Sequence, residues 1–333
     1  MTRKDAMHAK EMVDRILNAD RRAAARLMTM VEDQSEQASE IIKEIFPHTG
    51  RSMLIGVTGA GGSGKSTLIE HLIGRFRQDD KRVGVVAVDP SSPFSGGALL
   101  GDRIRFQKYS LDDGVFIRSM GSRGYMGGLA RASSDVVRIM EAMGNDVVIV
   151  ETLGAGQDEV DIIHIAQTCL LVLTPGMGDD IQAIKAGIME IADLIVLNKA
   201  DLDGANACIQ SLESAIHYNL KKDEEAWIPR VVPTVACSSQ TSECEGIENL
   251  YQNIMEHQTY LHKTREIDTV HAKRIEQELG LIFKDEVEKT VFAGLKGTGK
   301  KRDYIESIMN GSNNPYSVVD EVLATFLRTE EME

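Results

Sequence analysis

The sequence predicts an α/β protein: a mainly parallel sheet flanked by helices, with helical extensions at both ends. Three observations predict it. Short apolar runs alternate with amphipathic stretches through the middle of the chain, and strands alternating with helices build parallel sheets covered on both faces. The first of these runs enters a glycine-rich turn that a helical pattern follows. The two ends of the chain lack comparable strand runs and carry helical periodicity instead.

Composition is consistent with that class. The chain has 333 residues, 42% hydrophobic and 26% charged, a globular balance with ample length for a core. The net charge of -14 argues against broad binding to nucleic acid or an anionic membrane. No apolar run reaches the length of a membrane span, and Met1–Lys10 lacks an apolar signal core. A cytoplasmic protein is expected, with neither nucleic acid nor membrane as a partner. Cys169, Cys208, Cys237 and Cys244 are scattered in the sequence without zinc-like pairing.

In chain order, residues 1–50 read as an N-terminal helical extension. Asp20 is placed to cap a helix through Ala23, Leu27, Met30 and Val31, and a second helical pattern runs from Ser35 to Phe46 and stops at Pro47. Residues 51–255 hold the predicted strands Met53–Val57, Val83–Val88, Val147–Val150, Leu170–Leu173, Leu194–Leu197 and Val231–Ala236. Residues 256–333 read as a C-terminal helical extension. Its predicted helices are His257–Glu278 and Gly280–Phe292, with a Gly/Lys-rich break at Gly294–Lys301 and a last short helix over Ser317–Leu327.

The first strand leads into Gly59-Ala60-Gly61-Gly62-Ser63-Gly64-Lys65-Ser66-Thr67. This is G-x-x-x-x-G-K-[ST] in its required context, strand before and helix after. Glycines let backbone N–H groups turn toward phosphates, and the helix offers its positive end to the same anion. Lys65 is expected to reach the β- and γ-phosphates and the Ser66 hydroxyl to hold Mg²⁺. Gly294–Lys301 fits the first part of the same pattern, but no apolar strand precedes it and Lys301 replaces the metal-binding hydroxyl. It reads as a mobile basic loop.

Strand Leu194–Leu197 ends in Asn198-Lys199-Ala200-Asp201, an N-K-x-D. Asp201 can accept two hydrogen bonds, from guanine N1–H and the 2-amino group, and adenine offers neither. Lys199 would lay its stem along the base, and Asn198 would brace the loop and the base edge. Ala236-Cys237-Ser238 follows another strand and is a candidate for a backbone N–H to guanine O6. Together the two motifs predict a P-loop NTPase, with a P-loop GTPase domain over 51–255.

Two strands end in acids, Asp89 and Glu151, where open α/β sheets place their ligands. Glu151-Thr152-Leu153-Gly154 stands in place of the usual D-x-x-G; its carboxylate would contact Mg²⁺ and the Gly154 N–H would sense the γ-phosphate. Asp102 is a further Mg²⁺ candidate, beyond a Gly/Pro-rich stretch that reads as a switch loop. Arg118, Arg123 and Gly127-Gly128 form another polar, Gly-rich region with no assigned role. Asp179, Gln182 and Lys185 follow the break at Pro175-Gly176. A third mobile segment fits there, and so does an ordinary helix start with acidic first residues. Ala155 occupies the position of the water-orienting glutamine of many GTPases. Slow intrinsic hydrolysis is therefore expected, with completion by a partner or a loop movement.

Taken together, these motifs resemble the MeaB/ArgK family of SIMIBI-class P-loop GTPases. The resemblance spans nearly the whole chain: Asp20-Arg21-Arg22, the phosphate loop, Val88-Asp89-Pro90-Ser91-Ser92-Pro93, Leu100-Gly101-Asp102, Ser122-Arg123-Gly124, Glu151-Thr152, Gly156-Gln157, Gly178-Asp179 with Gln182 and Lys185, and Asn314-Pro315-Tyr316. Leu153 and Ala155 stand where Val is common in the family. The resemblance implies a G-protein chaperone of adenosylcobalamin-dependent acyl-CoA mutases that gates cofactor loading and protects or reactivates the mutase. It also implies a homodimer formed through the C-terminal helices. Asp179, Gln182 and Lys185 would then couple the mutase to hydrolysis, and Lys65, Asp89, Glu151 and Lys185 would be the catalytic set. Ser66, Asp89, Asp102 and Glu151 would serve the metal. The expected ligands are Mg²⁺ and GTP or GDP, with no tightly bound organic cofactor. A metallochaperone GTPase for metalloenzyme maturation and a P-loop small-molecule kinase are the alternatives. Dispersed histidines argue against the first, and N-K-A-D argues against the second.

Overall fold

Alternating side chains on β-strands divide each buried strand between two faces. β1 (Met53–Thr58) and β4 (Val147–Thr152) show this directly. Leu54, Val148 and Val150 enter one core, whereas Ile55, Val57, Val147 and Ile149 enter the other. Both faces must therefore be covered, and helices cover them. The computed structural model describes residues 3–89, 106–121, 128–152, 165–176, 192–219, 226–237, 244–298 and 300–330.

The first face is covered by the amino-terminal helices α1 (Arg3–Leu17), α2 (Arg21–Glu32) and α3 (Glu36–Ile45), together with α5 (Gly128–Ala142). Asp20 caps α2 as its sequence position predicts, accepting from Arg22 N at 2.9 Å and Ala23 N at 3.1 Å. Ala23, Ala24, Leu27, Met28 and Val31 recur at helical spacing and are buried. The second face is covered by α4 (Lys65–Gln78) and α7 (Ile247–Thr264). Phe76 and Tyr251 join these two helices edge to face, with ring centroids 5.1 Å apart, a favoured aromatic geometry. A third apolar cluster seats α6 (Ala205–Asn219) on β5 (Thr168–Leu173) and β6 (Leu194–Leu197) through Leu171, Ile195, Leu197 and Leu212.

With β2 (Val83–Asp89), β3 (Val115–Gly121) and β7 (Arg230–Pro233), these strands make one seven-stranded sheet of order β3-β2-β4-β1-β5-β6-β7. Every pairing is parallel. β1 is the central strand, with β2 to β4 on one side and β5 to β7 on the other, which makes its carboxyl end the crevice where such sheets bind ligands.

The structure differs from the sequence reading at four places. The helix predicted over His257–Glu278 is interrupted at Arg265, whose φ of 60° ends α7. β3 has no counterpart among the predicted strands. It carries Arg118 and Ser119 mid-strand, so its apolar run is broken, yet it pairs with β2 along its whole length. Arg118 is neutralised by Glu32 of α2, which gives the charge a place beside the sheet edge. β7 ends at Pro233 rather than at Ala236, and Val235 instead bridges antiparallel to Glu245. Finally, the predicted break at Gly294–Lys301 is largely helical: α8 runs from Glu266 to Thr298 and α9 (Lys300–Met309) follows.

The chain divides into two compact units, Met1–Arg274 and Ile275–Glu333. The first contains the sheet. In the second, Tyr304 of α9 donates to Glu321 of α10 (Pro315–Glu330) at 2.9 Å. Among the described residues, no helix is long and apolar enough to cross a membrane.

Candidate functional site

The glycine-rich turn sits between β1 and α4 at the crevice. Gly59, Gly62 and Gly64 have φ of 138°, 78° and 92°, a region that side chains disfavour. Packing adds a second constraint at two of them. A Cβ on Gly59 would lie 2.1 Å from Val172 O of β5, and one on Gly64 would lie 2.3 Å from Asn198 Nδ2. Gly61 and Gly62 face open space. The loop is thus fixed at its ends and open at its crown. Within it, Ser63 Oγ is fully buried and has no hydrogen-bond partner among the described residues.

Lys65, the first residue of α4, is buried, and its ammonium donates to Gly59 O at 2.6 Å and Ala60 O at 3.0 Å. The cation is held at the strand–loop junction. Ser66 Oγ donates to Glu151 Oε1 at 2.6 Å, and Glu151 is 1% exposed. A hydroxyl and a carboxylate at hydrogen-bond distance beside a phosphate loop are hard oxygen donors of the kind Mg²⁺ selects. The residues present therefore fit the ion, with Ser66 and Glu151 as its holders. When bound, it would neutralise charge on the phosphate oxygens. β2 delivers the Asp89 backbone to the same carboxyl end of the sheet, paired with Gly121 of β3; the side chain of Asp89 lies outside the described residues.

The N-K-x-D segment leaves β6 directly beneath this loop. Asn198 is 1% exposed and uses both ends of its amide. Its Nδ2 donates to Ser63 O at 2.8 Å, and its Oδ1 accepts from Ala236 N at 3.0 Å and Thr234 Oγ1 at 3.2 Å. One side chain therefore joins the phosphate loop, the N-K-x-D turn and the segment after β7. Lys199 adopts a left-handed φ of 56° and donates from Nζ to Gly62 O at 2.9 Å, so its stem crosses from the turn to the glycine loop. Asp201 is exposed, leaving its carboxylate accessible to a base. The Ala236 N–H is directed to Asn198, so any N–H offered to guanine O6 must come from a later position of that loop.

Sequence reasoning did not find His71. It lies on α4, and its Nε2 is 2.9 Å from Cys237 O, across 166 positions of sequence. No local pattern marks it; only the fold brings α4 to the loop after β7. The same is true of Thr58 and Thr152, whose hydroxyls hydrogen-bond at 3.1 Å between adjacent strands. Gly154, Asp102, Asp179, Gln182, Lys185, Ser238, Arg123 and Ala155 lie outside the described residues.

At the opposite, amino-terminal edge of the sheet is a buried polar cluster that the sequence did not announce. His257 Nδ1 meets Thr168 Oγ1 at 2.9 Å, and its Nε2 lies 3.4 Å from Asp193 Oδ1. Asp193 Oδ2 accepts from Cys169 N at 2.7 Å. Burial pushes Asp193 up to about 7 and His257 down to about 4. Low polarity disfavours both charged forms, so the imidazole is neutral at physiological pH and the carboxyl is shifted toward its protonated form.

A phosphate loop at the end of β1, a carboxylate beside its hydroxyl and an N-K-x-D turn bonded to that loop define the P-loop GTPase class. Comparison with known proteins narrows this. A family model described as "Methylmalonyl Co-A mutase-associated GTPase MeaB" matches residues 24–296. A Pyrococcus abyssi relative is 46% identical over 314 residues, covering 94% of this chain and 95% of that protein. The Escherichia coli GTPase ArgK is 33% identical over 327 residues, covering 96% and 97%. A solved structure titled LAO/AO transport system kinase superposes with a TM-score of 0.68 at 27% identity, covering 96% of this chain and 97% of that one. The chain belongs to the MeaB family, and it is a GTPase.

Proposed function

We propose that this GTPase is a timed assistant of an adenosylcobalamin-dependent acyl-CoA mutase, gating cofactor loading and protecting or reactivating the mutase. The observation that carries the nucleotide half of this reading is the joining of the two motifs: Asn198 to Ser63 O and Lys199 to Gly62 O. Base and phosphate recognition share one rigid frame, so a guanine held by Asp201 sets the phosphates against Lys65 and Ser66. The mutase half is supported by the family description, and by similarity to a mouse protein named methylmalonic aciduria type A homolog, mitochondrial. That relative is 32% identical over 279 residues, spanning 82% of this chain and 65% of that protein.

In this reading the nucleotide is bound by Gly59–Thr67, Asn198, Lys199, Asp201 and the 236–238 loop, and Mg²⁺ by Ser66 and Glu151 with Asp89 and Asp102. Asp179, Gln182 and Lys185 pass the mutase's presence to the γ-phosphate. Hydrolysis is slow alone, because Ala155 supplies no group to orient water. Working as a homodimer is supported by α8. Ile275, Leu279 and Phe283 recur every four residues and are at least 50% exposed, an apolar stripe of the kind that marks an interface.

The test is GTP turnover with and without B12-dependent acyl-CoA mutases from the same cell. Turnover should rise at least tenfold with the cognate mutase. Unchanged turnover with every such mutase would refute the chaperone reading while leaving the GTPase intact.

A further inference from the structure

Cys237 and Cys244 are separated in sequence, and the fold brings them together. Val235 and Glu245 exchange both backbone hydrogen bonds, at 3.0 and 3.2 Å, and this antiparallel bridge places the flanks of the two cysteines side by side. Cys237 Sγ lies 3.5 Å from Val235 O, within the bridge itself. Both are thiols rather than disulfide sulfurs. His71 completes the cluster. Its Nε2 is 2.9 Å from Cys237 O and 3.6 Å from Cys244 Sγ. A carbonyl oxygen can only accept, so Nε2 carries the hydrogen. The Cys244 sulfur lies beside that same N–H. Cys244 is exposed, and Cys237 is half-buried.

We propose that Cys237 and Cys244 are a reversible thiol–disulfide site whose oxidation weakens guanine-nucleotide binding. The second part rests on the reading of 236–238 as the base loop. The Cys244 thiolate attacks a low-molecular-weight disulfide RSSR, forming a protein–S–SR bond and releasing RS⁻. The Cys237 thiol then gives up its proton and attacks the Cys244 sulfur, forming the Cys237–Cys244 bond and expelling the second RS⁻. Two protein thiols become one disulfide, and RSSR becomes two RSH, so two electrons pass from protein to reagent. The order follows from access and from the proton. The neighbouring Cys244 side chain pushes Cys237 up to about 11, so Cys237 keeps its proton until the mixed disulfide has formed.

Oxidation acts on the nucleotide through geometry. An S–S bond is about 2.05 Å long, well inside the contact distance of two unbonded sulfurs. Closing it draws Cys237 toward Cys244. Ala236, the residue before, is bonded to Asn198, so the pull reaches the frame shared by base and phosphate loops.

The experiment equilibrates the full-length protein in oxidised and reduced glutathione and reads two signals. Peptide mass mapping should show a linked Cys237–Cys244 pair, 2 Da lighter, that dithiothreitol reverses. Titration with a fluorescent GDP should show at least fivefold weaker binding in the oxidised protein, and no change on oxidation in Cys244→Ser. Failure of the pair to link, or linkage that leaves affinity unaltered, overturns the proposal. The reduced wild type separates the two readings. If it binds no GDP, the nucleotide reading itself fails; if it binds GDP equally well when oxidised, only the redox site fails.

Discussion

Asp201 and His257 show two ways in which a single residue acquires a definite chemical state. Asp201 is exposed at the mouth of the nucleotide crevice, and its specificity comes from hydrogen-bond pattern alone. Asp201→Asn replaces one of two acceptors with a donor, so the variant should lose guanine and admit xanthine. Competition binding with GDP and XDP checks this; unchanged base preference would show that the base lies elsewhere. His257 is 2% exposed, and burial holds its pKa down to about 4. The unfolded chain takes up that proton near pH 6.5, about the ordinary histidine value. Its contribution to stability is therefore complete above pH 6.5 and declines as pH falls toward 4. An NMR titration of the imidazole should show a midpoint near 4, and a midpoint at the ordinary value would contradict the burial argument.

Elements were legible in the sequence in proportion to their apolar continuity. The all-apolar Leu194–Leu197 appears with its predicted bounds, and β1 and β4 extend their predicted runs by a residue or two at the carboxyl end. β3 was illegible because its burial depends on a partner 86 positions away, the Glu32 that neutralises Arg118. The motif frame at Gly59–Thr67 and Asn198–Asp201 was legible because its chemistry fixes local spacing. Asn198's second role, bonding Thr234 and Ala236, was not, because it depends on where β7 ends. Gly246 makes a related point. Its φ is 77°, and a Cβ there would sit 2.1 Å from Pro233 O. Gly246→Ala, at the start of α7, should destabilise the protein by about 2 kcal/mol or more. The urea midpoint measures this; an unchanged midpoint would mean that the contact between the helix start and β7 yields freely.

For the molecule as a whole, charge and apolar surface are distributed in different ways. The net charge of -14 keeps copies apart at long range, so self-association must rest on short-range apolar contact. The exposed stripe Ile275, Leu279 and Phe283 supplies that contact in the proposed homodimer. Leu279→Glu with Phe283→Glu should convert a dimer to a monomer by light scattering, with GDP affinity within twofold of wild type. A dimer that survives both changes would place the interface on another surface. The bonding of Asn198 to Ser63, Thr234 and Ala236 has a practical consequence for anyone seeking to give this GTPase an orthogonal nucleotide. Two neighbouring letters of one motif are not equally editable. Changes at Asn198 would be selected against as folding defects before their effect on base choice could be seen. The exposed Asp201 is where a new nucleotide code can be written while the scaffold survives.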